Sequence, residues 1–155
     1  MAGATRPVRL RPARAGDTEA LSLVAYASFH AAFAPIMAPA GLATRSMDFF
    51  RRKFGRDWPA VTVALIGRRI AGFSLLRDRH VEMLFVDPKD QGSGVGLALL
   101  RRAETDGAAT LECFAANEGA RTFYERTGWR LSRSYQRAFA GTVYDFVLFA
   151  APPPI

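Results

Sequence analysis
At 155 residues, with 50% hydrophobic and 23% charged side chains, the chain has the make-up of one folded domain and not of a disordered segment. Its net charge of +7 favours anionic partners, whether a polyphosphate, nucleic acid or an acidic surface, and does not choose among them. Cys113 is the only cysteine, so an internal disulfide is excluded, and with only His30 and His80 beside it no Cys/His cluster has metal-ligand spacing. A reducing, cytoplasmic setting is the simpler expectation. Arg6, Arg9 and Arg11 have no apolar run behind them, which does not read as a secretory signal.

Val8–Pro12 alternates apolar and basic residues and predicts a first strand. Asp17 is placed to cap a helix running to about Phe33, with Glu19 in its first turn. Residues 21–43 carry no charge and are long enough to span a bilayer, but Pro35, Pro39 and Gly41 interrupt them. Leu21, Ala25, Phe29, Ala32 and Phe33 share one helical face, so the reading is an amphipathic helix followed by a loop over 34–44, with no membrane span. Ser46 is placed to cap a second helix with a stripe of Met47, Phe50 and Phe54, ended by Gly55.

Three strands are predicted next, at 60–66, 70–77 and 80–86, joined closely enough for hairpins. A Gly-rich loop then opens a helix from about Gly94 to Asp106, stopped by Gly107. A strand at 110–114, a helix from Asn117-Glu118 to Arg126, and strands at 129–133 and 142–149 complete the chain. The order is βααβββαβαββ, an α/β (α+β) arrangement with a mixed sheet covered on both faces. Nothing marks a second domain, so residues 1–155 read as one unit.

The most informative stretch is the strand Val81–Val86 running into Asp87-Pro88-Lys89-Asp90-Gln91-Gly92-Ser93-Gly94-Val95-Gly96. Glycines let a backbone approach a ligand closely, and the N–H groups that open a helix bind phosphate oxygens. Glycines alone would equally fit a plain turn. No Lys-Ser/Thr follows them, which excludes a P-loop, and Leu97 and Leu99 stand where a dinucleotide fingerprint needs small residues.

Gln91-Gly-Ser-Gly-Val-Gly96 resembles the Gln/Arg-x-x-Gly-x-Gly/Ala motif of the GNAT superfamily of N-acetyltransferases. Leu84–Pro88 resembles the strand that precedes that motif, and Asn117–Trp129 resembles the family's Asn-x-x-Ala-x-x-x-Tyr-x-x-x-Gly-Phe segment, with Trp129 for the usual Phe. The resemblance implies a GNAT-like, mostly antiparallel central sheet and transfer of acetyl from acetyl-CoA to a primary amine by direct attack in a ternary complex. It implies that the backbone of Leu84, Phe85 and Val86 pairs with the pantetheine arm, and that a main-chain N–H there stabilises an oxyanion. It further implies that Gln91, Gly92, Ser93, Gly94, Val95 and Gly96 hold the pyrophosphate, that Asn117 bonds the pantetheine, and that Tyr124 lies near the sulfur and protonates the departing thiolate.

For the base that deprotonates the amine, family members often use a carboxylate on the strand before the loop. His80 and Glu82 stand there, with period 2 placing them on one face. Glu82 equally suits a salt bridge with one of the many arginines. Lys89, Arg121 and Arg126 are near enough in sequence to meet a 3′-phosphate, although each equally suits an ordinary surface position. In related proteins the first two helices shape the acceptor site, which here offers Tyr26, Phe29, His30, Phe33, Ile36 and Met37, a lining suited to an apolar or aromatic amine. No metal is implied, and a homodimer is an outcome the resemblance allows. The alternative functions are a non-catalytic acyl-CoA sensor or partner module, and nucleic-acid binding, which the scattered arginines argue against.

Overall fold
A computed structural model describes residues 6–154. A seven-stranded sheet in the order β1-β2-β3-β4-β5-β7-β6 runs through the molecule. The strands are β1 (Val8–Pro12), β2 (Val61–Ile66), β3 (Arg69–Arg77), β4 (His80–Val86), β5 (Thr110–Phe114), β6 (Arg130–Phe139) and β7 (Thr142–Ala150). Every neighbouring pair is antiparallel except β4 and β5, which are parallel, so the sheet is mixed and mostly antiparallel as expected.

Helices α1 (Thr18–Phe33) and α3 (Met47–Asp57) pack on one face of the sheet, and their apolar residues meet Phe73, Leu75, Phe114 and Phe146 there. On the other face, α4 (Val95–Thr105) and α5 (Glu118–Arg126) pack on Val81, Leu111, Val147 and Phe149. Among the described residues no helix is long and apolar enough to cross a membrane.

Four local readings change. The stretch 34–44 holds a short helix, α2 (Pro39–Ala43), with Pro39 at the first helical position, where its missing N–H costs nothing. Helix α3 passes through Gly55 to Asp57, and Pro59 in the following 3₁₀ turn, not the glycine, limits it. Asp17 does not cap α1; its carboxylate accepts from the Arg14 N–H at 2.7 Å and pairs with Arg11 at 2.8 Å. Strand β6 extends to Phe139 instead of stopping at Arg133, because as an exposed edge strand it pairs along β7 without an apolar alternation to announce it.

Gly72 on β3 illustrates how closely the layers sit. A Cβ there would lie 2.7 Å from the Phe85 carbonyl oxygen and 2.8 Å from Val95 Cγ1, so only glycine lets α4 rest on β3 beside β4.

Candidate active site
The parallel pair β4–β5 is held at only two register positions, His80 with Thr110 and Val81 with Leu111. Beyond them β4 stays with β3 and β5 with β7, so the sheet opens into a V. The edge of β4 over Met83–Val86 faces that opening without a strand partner. A cleft of about 810 Å³ runs through the opening, with Leu84, Phe85 and Val86 on one lip and Glu112, Cys113 and Phe114 on the other. Phe33, at the end of α1, bridges the two lips: its ring lies 5.9 Å from Phe85 and 4.9 Å from Phe114.

At one mouth of the cleft lies the glycine loop. Gly92 and Gly94 have φ of 78° and 87°, and Gly94 is the N-cap of α4 with no side chain capping the helix. The first N–H groups of α4 therefore lack intrahelical partners and point out of the helix start, where its dipole is positive. A Cβ added at Gly92 or Gly94 would meet no atom within 4 Å, so the space before the loop is open. Gln91, Gly92, Gly94, Val95 and Gly96 all line the cleft. Ser93 does not; its hydroxyl donates to the Asp90 carbonyl and closes the turn.

Two contacts hold this loop. Gln91 Nε2 donates to the Val86 carbonyl at 3.2 Å. Asp90, nearly buried, forms a bidentate pair with Arg69 at 2.5 and 2.8 Å, and those hydrogen bonds outweigh burial and hold its carboxyl below the usual range. The pair joins residues 21 apart from different motifs, which is why neither residue stood out in the sequence.

Deeper in the cleft are Asn117, Cys113 and Tyr124. The Asn117 side-chain oxygen accepts from the Ala120 N–H at 3.2 Å as the N-cap of α5, which leaves its amide nitrogen as a donor toward the cleft. Tyr124 is buried between Phe123 and Phe149, and burial raises its phenol well above the usual value. Burial likewise pushes the Cys113 thiol up to about 11. Trp129 is buried, with its indole N–H donating to Glu104 at 3.0 Å, so the larger ring brings its own acceptor.

On the α1–α3 side, Phe29, Phe33, His80 and Glu82 line the cleft, whereas Tyr26, His30, Ile36 and Met37 do not. His30 instead hydrogen-bonds the Arg45 carbonyl through Nε2 at 2.7 Å and packs on Tyr26. His80 Nδ1 lies 2.8 Å from Thr110 Oγ1. Glu82 sits at a bulge in the β3–β4 pairing and bonds Lys53 at 2.9 Å and Arg77 at 3.1 Å, so its carboxylate is an ion-pair partner. Among the residues of this wall that escaped the sequence reading are Arg45, Glu112 and Arg137. They come from α2–α3, β5 and β6, and no common spacing links them. Among the described residues no cluster of His, Cys, Asp and Glu is arranged to hold a metal.

Residues 41–144, more than half of the chain, match the family model for an acetyltransferase (GNAT) domain. The chain belongs to the GNAT acetyltransferase family. Solved structures agree with the assignment. YjaB from Escherichia coli, an apo form in solution, superposes with a TM-score of 0.77 at 26% identity over 93% of this chain and 97% of that one. PaiA N-acetyltransferase from Thermoplasma acidophilum, in complex with coenzyme A, has a TM-score of 0.74 at 15% identity over 92% and 98%. YncA from Salmonella typhimurium, with acetyl-CoA, gives 0.65 at 17% identity over 94% and 93%. At those identities the last two share the GNAT fold. A search of curated protein sequences finds no match.

Proposed function
We propose that this GNAT protein is an N-acetyltransferase that takes acetyl-CoA as donor and a primary amine as acceptor. The reading is carried by the glycine loop at the start of α4, set at the mouth of a cleft that parts two strands of the sheet. The PaiA and YncA structures, which share this fold, hold coenzyme A and acetyl-CoA, and that supports the choice of donor. The N–H groups of Gly92, Gly94, Val95 and Gly96 would hold the pyrophosphate, that of Ser93 being taken by the Asp90 carbonyl; the free edge of Leu84–Val86 would take the pantetheine as a strand takes its neighbour, and the Asn117 amide would donate to it. Acetyl-CoA supplies an acetyl group activated as a thioester.

The protein's own groups then manage two protons. Tyr124 holds one on its hydroxyl, and its raised pKa keeps it neutral and a donor. A phenol at or above ~10 gives a proton to a thiolate near ~8.5 only uphill, so Tyr124 works chiefly as a positioned hydrogen-bond donor to sulfur as charge develops there. His80, lining the cleft with Nδ1 engaged by Thr110, is free at Nε2 to take a proton from the amine, directly or through water. Glu82 is the weaker candidate because two cations already hold it. Cys113, with its thiol pushed up to about 11, is a poor nucleophile, which favours direct transfer over an acetyl-cysteine route. It is a free thiol, and we assign the reaction to the reducing cytoplasm.

The test is a calorimetric titration with CoA and acetyl-CoA beside a thioester-cleavage assay over a panel of amines. Uptake of both with amine-dependent cleavage is expected. Uptake without cleavage on any amine would make the protein a binding module, and no uptake by folded protein would end the reading.

A further inference from the structure
The acceptor-side wall contains three cations: Arg45, Lys53 and Arg137. Two of them are already matched. Lys53 lies 3.1 Å from Asp57 and 2.9 Å from Glu82, and Arg137 lies 2.5 Å from Glu112. Arg45 has no carboxylate within salt-bridge distance among the described residues; its one side-chain hydrogen bond to protein runs from Nη1 to the neighbouring Thr44 hydroxyl at 2.9 Å.

Arg45 is nevertheless fixed. Its guanidinium sits 4.5 Å from the centre of the Phe49 ring and 4.8 Å from that of Phe139, and its carbonyl is held by His30. Two aromatic rings hold the cation by cation–π contact, and neither takes up its N–H donors, of which one goes to Thr44. Burial without a counter-charge lowers its pKa, whereas ion pairs raise those of Arg11, Arg51, Arg69 and Arg137. A half-buried guanidinium with a single side-chain hydrogen bond to protein, set between two phenylalanines on a wall whose other two cations are already paired with carboxylates, is suited to take two oxygens of one anion.

We infer that the acceptor amine carries an anionic oxygen group, a carboxylate or phosphonate-like head, which Arg45 binds while the phenylalanines take an apolar remainder. This rests on the acetyl-transfer reading, and it names the class of amine as a zwitterion with an apolar side group. A cationic polyamine would meet Arg45 as a like charge.

The experiment compares matched acceptors that differ only in the head: phenylalanine, its aminophosphonate analogue and phenethylamine, with leucine and 3-methylbutylamine as a second pair. In steady-state assays an anionic member of each series should show a kcat/KM at least tenfold above its neutral partner. Arg45→Met should erase that preference by raising KM for the anionic members, Arg45→Lys should restore part of it, and CoA affinity and melting temperature should stay near wild type. Preference between the carboxylate and phosphonate identifies the head. Equal use of charged and neutral partners, or an equal loss on both in Arg45→Met, would overturn the inference.

A second readout does not need turnover. Titration of N-acetylphenylalanine and N-acetylphenethylamine into the protein–CoA complex should show tighter binding of the acid, lost in Arg45→Met. If no amine is acetylated, the transfer reading fails and this titration still decides the anion site; no preference for the acid would overturn it. If Arg45→Met does not fold, Arg45→Lys against wild type in both assays carries the same decision.

Discussion
The two ends of the cleft are built in different ways. At the α4 end the groups proposed to bind are main-chain amides, shaped by glycines and pinned by Gln91 and the Arg69–Asp90 pair. At the α1–β6 end they are side chains from four separate elements, Phe33, Phe49, Glu112 and Arg137 among them. On the proposed function the backbone site would recognise what is common to every turnover, the diphosphate, and would tolerate substitution except where φ is positive or space is tight. A side-chain site recognises what is particular and can change with one mutation.

Mutations that act on one end and not the other can break or sharpen that contrast. The largest effect is expected where the ends meet. Tyr124→Phe should lower kcat by about 10²–10³, the range for losing one positioned hydrogen-bond donor to developing charge, with CoA affinity unchanged; unaltered kcat would remove Tyr124 from the chemistry. At the backbone end, Gly94→Val forces a β-branched residue to a φ of 87°. The strain of at least ~1–2 kcal/mol should weaken CoA binding by about tenfold or more while leaving kcat at saturation close to wild type. At the side-chain end, Phe33→Ala should do the reverse, raising the acceptor KM several-fold while CoA affinity stays within about twofold. It should also cost roughly 2 kcal/mol in stability, less than the ~3–5 of a wholly buried phenylalanine.

Asp90→Asn should weaken CoA binding by only a few-fold, and its clearer signature is pH. Because Arg69 holds the folded carboxyl below its unfolded value, the stabilisation is present above about pH 4 and is lost as pH falls through the depressed value. The wild type should therefore lose more melting temperature between about pH 5 and 3 than Asp90→Asn does. The smallest effect should come from Cys113. With its thiol near 11, about one molecule in a thousand is thiolate at pH 8, so iodoacetamide should label it far more slowly than a free thiol.

The same contrast governed what the sequence could reveal. The α4 end is continuous in the chain, so Gln91–Gly96 was legible at once, as were the strand before it and the cap at Asn117. Most element boundaries were legible too, since Phe50 and Phe54 keep the helical period and Gly107 and Gly128 mark true ends. The α1 end is assembled by the fold, so His30 was indistinguishable from a lining residue until its ring was found against Arg45. Arg45 itself lay in a stretch read as loop and cap. Arg137 fell beyond the predicted end of β6, where alternating exposed residues give no core signal. Gly72 drew no notice because only the approach of Val95 makes it necessary.

The two-rung junction between β4 and β5 has a practical outcome. The turn at Gly107 divides the chain into a front piece ending with α4 and a rear piece starting at β5, each carrying one lip of the V. Separately expressed, the pieces would be drawn together by the phenylalanines on one side and by Leu100 against Leu111 on the other. A molecule lying across both lips would act as a clasp, so reassembly of the severed halves would report on what the intact protein binds.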